Sequence, residues 1–144
     1  MILRITSLLT VLFASVSLQA QSDEKPTQLS AEQVKFYIDK VQPILLNSCY
    51  ACHGPGSDVK GNLFLGNRKD ILSGGDSGPA AIPGKAEESL IIQAMNYDGY
   101  EMPPKGKLPQ DQIDTIAKWI NDGLPIPPDQ EQARPEQHLS LIHI

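Results

Sequence analysis

The segment Cys49-Tyr50-Ala51-Cys52-His53 has the form C-x-x-C-H and contains both cysteines of the chain. Two cysteines three positions apart on a short helix turn their thiols to one side. There they can add to the two vinyl groups of one haem as thioethers, and the adjacent imidazole then reaches the iron as its proximal ligand. Three other readings compete. A thioredoxin-type redox pair expects a βαβ neighbourhood, whereas these flanks read as helix before and glycine-rich loop after. A structural zinc ion needs four ligands, and beyond the two cysteines the chain offers His53, His138 and His143, the last two in the C-terminal tail. A disulfide between residues three apart would close too short a loop to staple anything. The motif therefore favours haem c, with Cys49 and Cys52 as attachment points and His53 on the metal.

Upstream, Ser30 opens a capping box with Gln33, and Val34, Tyr37, Ile38, Val41 and Leu45 recur at spacings of three and four. Pro43 interrupts this stripe. The pattern predicts a helix that ends or bends near Val41 and a short second helix from Ile44 to about Ala51, stopped by Gly54-Pro55-Gly56. Residues 57–85 are dominated by turn formers, with Gly74-Gly75-Asp76-Ser77-Gly78-Pro79 the densest cluster. They read as ordered loop in which Leu63 and Leu65 permit a short strand and Asp70-Ile71-Leu72 one helical turn. Glu87 to about Asn96 is a helix with Leu90, Ile91, Ala94 and Met95 on one face. In the last helix, Pro109 stands near the first turn, Ile113, Ile116, Ala117 and Ile120 share a face, and Gly123 is the stop. Trp119 on that helix either packs at the crossing of the first and last helices or flanks the haem pocket, packing being the favoured role.

The sixth iron ligand is approached by elimination. Outside the tail there is no second histidine, and the methionines are Met1, Met95 and Met102. Met95 sits on an amphipathic helix, where methionine is commonly core filler. Met102 stands in a loop stiffened by Pro103 and Pro104, with no helical face to claim it. Met102 is the favoured distal ligand, over Met95, a Tyr, a Lys or an open site. A His/Met pair fills the iron's coordination and favours electron transfer over chemistry on a bound molecule. The proximal imidazole is expected to give its second N–H to a backbone carbonyl, for which the segment Gly78 to Pro83 is the candidate.

The chain's 144 residues suit one domain, and 40% hydrophobic against 20% charged residues allow one core. Twelve basic and seventeen acidic residues leave a charge of −5, which argues against a nucleic-acid binder, since such proteins need a basic face. Residues 1–20 have the layout of a secretory signal peptide, with an apolar stretch too short to span a membrane. Its removal, which takes Arg4 away, leaves eleven basic and seventeen acidic residues, a balance of −6, and places the protein in the periplasm or otherwise outside the cytoplasm. A polar leader covers residues 21–29, the domain residues 30–126 and a polar linker residues 127–138. Residues 139–144 (LSLIHI) resemble an in-frame sequencing adapter, so the natural protein is expected to be longer.

Several further runs, in order, give the reading more weight than C-x-x-C-H alone. They are Val41-Gln42-Pro43-Ile44-Leu45, the haem motif with Gly54-Pro55, Gly74-Gly75 with Ser77-Gly78-Pro79, and Pro83-Gly84-Lys85 with Glu88-Ser89-Leu90. Met102-Pro103-Pro104 follows, and then Ile116, Trp119-Ile120 and Gly123. Together they resemble a planctomycete-type cytochrome c domain over about Phe36 to Pro125. The resemblance implies an all-α, class I cytochrome c-like fold of about four to five helices around a covalently bound haem, with a long Gly/Pro-rich loop. It implies haem c on Cys49 and Cys52, and iron held by His53 and, through the Met-Pro-Pro motif, Met102. Ile126 stands where that family commonly has an aromatic residue. In that family the domain is usually the N-terminal part of a long exported protein, so the redox partner is expected to be a separate protein or a downstream domain of the same longer chain.

The expected function is single-electron transfer without catalysis. The alternatives are a haem enzyme or a gas or peroxide sensor whose sixth ligand is open or displaceable, and, more remotely, a thiol-disulfide exchanger.

Overall fold

A computed structural model describes residues 28–134, and the elements below belong to that range. The assignments to residues 1–27 and 135–144, which include the signal peptide, most of the leader, His138, His143 and the adapter-like end, lie outside it. No helix among the described residues is long and apolar enough to cross a membrane.

Helix α1 is a continuous helical run over residues 31–53. It starts where the capping box predicts. Ser30 Oγ accepts from Gln33 N–H at 3.1 Å, and the Gln33 side chain accepts from Ser30 N–H at 2.9 Å. The run does not end at Val41. Pro43 has no N–H to give and its ring would press on the carbonyl one turn back. The helix absorbs this by widening into π-helical turns over Tyr37–Val41 and Leu45–Cys49. The N–H of Gln42 reaches the Tyr37 carbonyl and that of Tyr50 the Leu45 carbonyl, five residues back in each case. The expected second helix is thus the C-terminal part of the first, and it delivers Tyr50–His53 as its last turn.

Helix α2 spans Arg68–Ser73, longer than the single turn expected, because Asn67 Oδ1 caps it by accepting from Asp70 N–H at 2.8 Å. Leu63 and Leu65 form no strand; the only bridge among the described residues joins Gly75 and Gly78. Helix α3, Leu90–Asn96, follows a 3₁₀ turn at Ala86–Glu88. Between them the fully buried Ser89 accepts from Ile82 N–H at 2.9 Å and donates to the Lys85 carbonyl at 2.8 Å. Helix α4, Gln110–Asn121, buries Ile113, Ile116, Trp119 and Ile120. The described residues are therefore all-α, with four helices.

The core lies where α1 crosses α4. Tyr37 and Trp119 are both fully buried with ring centroids 6.0 Å apart, and Val41, Leu45, Ile116 and Ile120 belong to the same cluster. Trp119 Nε1–H donates to the Pro125 carbonyl at 2.8 Å, so the indole's one polar atom is satisfied inside the core. Two bonds tie the 3₁₀ turn region to α4. Gly84 N–H reaches the Ile120 carbonyl at 2.8 Å and Ala86 N–H reaches Asn121 Oδ1 at 2.9 Å. The polar stretch after Pro127 lies against the domain as far as it is described. Gln132 N–H donates to the Gly66 carbonyl at 2.8 Å, and Asn67 Nδ2 donates back to the Gln132 carbonyl at 3.0 Å.

Candidate functional site

The end of α1 places Cys49, Cys52 and His53 on one wall of a cleft of about 410 Å³. Leu63, Leu65 and Ala80, from the loop, line it too. So does the face of α3 made by Leu90, Ile91, Ala94 and Met95, the set that the helical spacing grouped in the sequence. Met102, Pro103, Pro104 and Leu108 complete the apolar lining. All four expected site residues, Cys49, Cys52, His53 and Met102, thus border a single cavity. Trp119 does not border it, and its place is the α1–α4 crossing.

The imidazole of His53 is held by one bond. Its Nδ1 lies 3.1 Å from the carbonyl oxygen of Leu63. A carbonyl only accepts, so Nδ1 carries the proton and Nε2 is left with the lone pair a metal needs. The donor of this carbonyl was expected in Gly78–Pro83; the structure corrects that to Leu63. The reason is local, since Leu65 N–H bonds the backbone carbonyl of His53 at 2.8 Å and draws the 63–65 segment alongside the end of α1. A stretch that looked like a possible strand is therefore the shelf on which the histidine rests.

Met102 is carried by a loop tied back to α3. Its N–H donates to the Ala94 carbonyl at 3.1 Å. Tyr97, in the left-handed region with φ +65°, donates its hydroxyl to the Pro103 carbonyl at 2.6 Å. These bonds bring the Met-Pro-Pro turn to the cavity rim, where the Met102 side chain is 41% exposed. Met95 borders the same cavity from its wall and is buried at 3%. Across the rim Tyr100 donates its hydroxyl to Ser77 Oγ at 3.3 Å.

Both cysteines are free and half-buried. Burial pushes the Cys49 thiol up to about 11. At neutral pH it is a protonated thiol, the opposite of the low-pKa thiolate on which thiol-disulfide exchangers depend. No group of three or more His, Cys, Asp or Glu able to hold a metal ion by themselves occurs among the described residues. A cavity with two thiols, one oriented imidazole and one rim thioether on mainly apolar walls fits a flat, largely apolar prosthetic group with a nitrogen- and sulfur-binding metal.

Residues that sequence reasoning missed are Leu63, whose main chain rather than its side chain acts, and the Tyr97 anchor. A carbonyl has no signature in a sequence, but a tyrosine closing a helix just before Met-Pro-Pro was visible.

Residues 49–106 match the family model described as planctomycete cytochrome C. No curated protein and no solved structure matches the chain. The matched segment opens on Cys49 and takes in His53, the Leu63 shelf, α3 and the Met102 loop, which is the whole lining of the cavity except Ser48 and Leu108. The match over residues 49–106 supports a planctomycete-type cytochrome c domain, and a cytochrome c domain implies a covalently bound haem used in electron transfer.

Proposed function

We propose that this domain carries single electrons through a haem c joined to Cys49 and Cys52, with His53 and Met102 as axial ligands in a class I cytochrome c arrangement. The observation that carries the reading is that all four residues border one apolar cavity, with the His53 tautomer set by the Leu63 carbonyl. When bound, the group supplies a one-electron iron couple. The chain's residues do the rest. Cys49 and Cys52 supply the thioether sulfurs, and His53 presents Nε2. Leu63, Leu65, Leu90, Ile91 and Leu108 keep water away, and such a low-dielectric wall favours the less charged state of whatever it encloses. A thioether from Met102 raises the reduction potential relative to a second imidazole.

A second reading has one observation behind it. Met102 is 41% exposed on a loop whose neighbours Glu101, Pro104 and Lys105 are also exposed, a placement that suits a displaceable ligand. In that case the domain senses or acts on a small iron-binding molecule such as carbon monoxide, nitric oxide or peroxide.

Covalent attachment is tested by expressing the chain with working haem-maturation machinery and extracting it with acid and acetone. The expected result is a protein that keeps its colour, and Cys49→Ser/Cys52→Ser material that loses it. Colourless wild-type protein would overturn the reading. The partner is proposed to be a separate exported redox protein or a further domain of the same chain.

A further inference from the structure

The turn that presents the Leu63 carbonyl to His53 is gripped on two sides by residues to which nothing above gives a role. This 3₁₀ turn, Lys60–Asn62, holds both Gly61 and Asn62 in the left-handed region, with φ +58° and +54°. Such a backbone needs outside contacts to keep it in place. On one side stands the Gly74-Gly75-Asp76 turn. Asp76 N–H donates to the Gly61 carbonyl at 2.9 Å. A Cβ on Gly75 would overlap that carbonyl oxygen and lie 2.9 Å from Leu63 N and 3.0 Å from Leu63 Cβ. Gly75 is therefore glycine for close approach to this turn. On the other side Arg134 donates from Nη2 to the Asn62 carbonyl at 2.7 Å and to Asn62 Oδ1, and Nη1 lies 3.6 Å from Asp70 Oδ1.

We propose that Gly75 and Arg134 are positioning residues that clamp the 61–63 turn from opposite chain segments and so set the Leu63 carbonyl against His53 Nδ1. The inference rests on the haem reading above, in which that bond tunes a metal ligand. A donated Nδ1–H makes the imidazole a stronger base toward iron and favours the oxidised state. Loosening the clamp weakens the bond and shifts the reduction potential in the positive direction.

The test compares haem-loaded wild type with Gly75→Ala and Arg134→Ala, measuring the midpoint potential and the His53 Nδ1–H proton resonance of the reduced protein. Ile113→Val, a buried position on α4 with no contact assigned to the clamp, serves as the control for general destabilisation. The clamp predicts a positive shift and a faster-exchanging or lost Nδ1–H signal in both variants, and neither change in the control. Arg134 has a partly exposed side chain, so its variant remains decisive where Gly75→Ala fails to fold. Haem-loaded Arg134→Ala with wild-type potential and resonance would overturn the clamp and leave the haem reading standing. Wild type that takes up no haem would end both.

Discussion

Tyr37 shows what burial does to one polar atom. Its ring is fully buried against Trp119, and its hydroxyl is buried with the Tyr50 phenol as its polar neighbour. Burial first, then the neighbouring Tyr50 phenol, hold its pKa far above the ordinary tyrosine value. A group whose folded pKa is raised contributes stability that is complete below its unfolded pKa and is lost as pH rises toward the folded one. The stability contributed by Tyr37 is thus present at neutral pH and falls on the alkaline side, from about pH 10 upward. Cys49 acts in the same sense in chain that has not bound haem, over the interval from 9.0 to about 11. Urea titrations at neutral and alkaline pH should show wild type losing stability with pH, and Tyr37→Phe losing less of it. Tyr37→Phe removes the contact with the Tyr50 phenol and is expected to change stability at neutral pH by no more than about 1.5 kcal/mol.

Among the elements, the cost of a substitution depends on what its helix holds. Ser30→Ala removes one half of a capping box and should cost about 1 kcal/mol, read as a shift in denaturant midpoint. Asn67→Ala removes the cap of α2 and also the bond to the Gln132 carbonyl, so its cost should exceed that of Ser30→Ala. Trp119→Ala opens the α1–α4 crossing and should cost about 3–5 kcal/mol. These differences also explain which elements could be read from the residue order. Helix α4 carries a periodic apolar face and the start of α1 a side-chain capping box, so both were legible. The site residues of Cys49–His53 were legible through their spacing, and the cavity-facing stripe of α3 through its period. The course of α1 past Pro43 was not, because the π-wide turns that accommodate a proline depend on backbone geometry without a residue code. The Leu63 shelf was missed for the same reason, since its working group is a carbonyl and its hold on His53 is set by the Leu65 N–H bond to the end of α1. Helix α2 has a cap signal in Asn67 and Asp70 three apart, masked in the sequence by its glycine-rich neighbourhood.

At the scale of the whole molecule, charge governs encounters. Seventeen acidic against twelve basic residues make the chain a net anion. A separate redox partner is therefore proposed to dock through a basic patch, and the electron-transfer rate constant measured by stopped flow should fall as salt is raised. A partner tethered in the same chain would show intramolecular transfer that is insensitive to salt. The cavity lining is assembled from segments far apart in the chain, the end of α1, the 60–80 loop, α3 and the Met102 loop. Only the complete fold brings Met102 to the cavity that His53 borders.

His53 and Met102 are proposed to close the coordination of one iron. The most direct test is the absorption spectrum of the reduced, haem-loaded protein before and after carbon monoxide is added. Wild type is expected to keep an unchanged spectrum and Met102→Ala to bind promptly; prompt binding by wild type would rule out the closed His53/Met102 site.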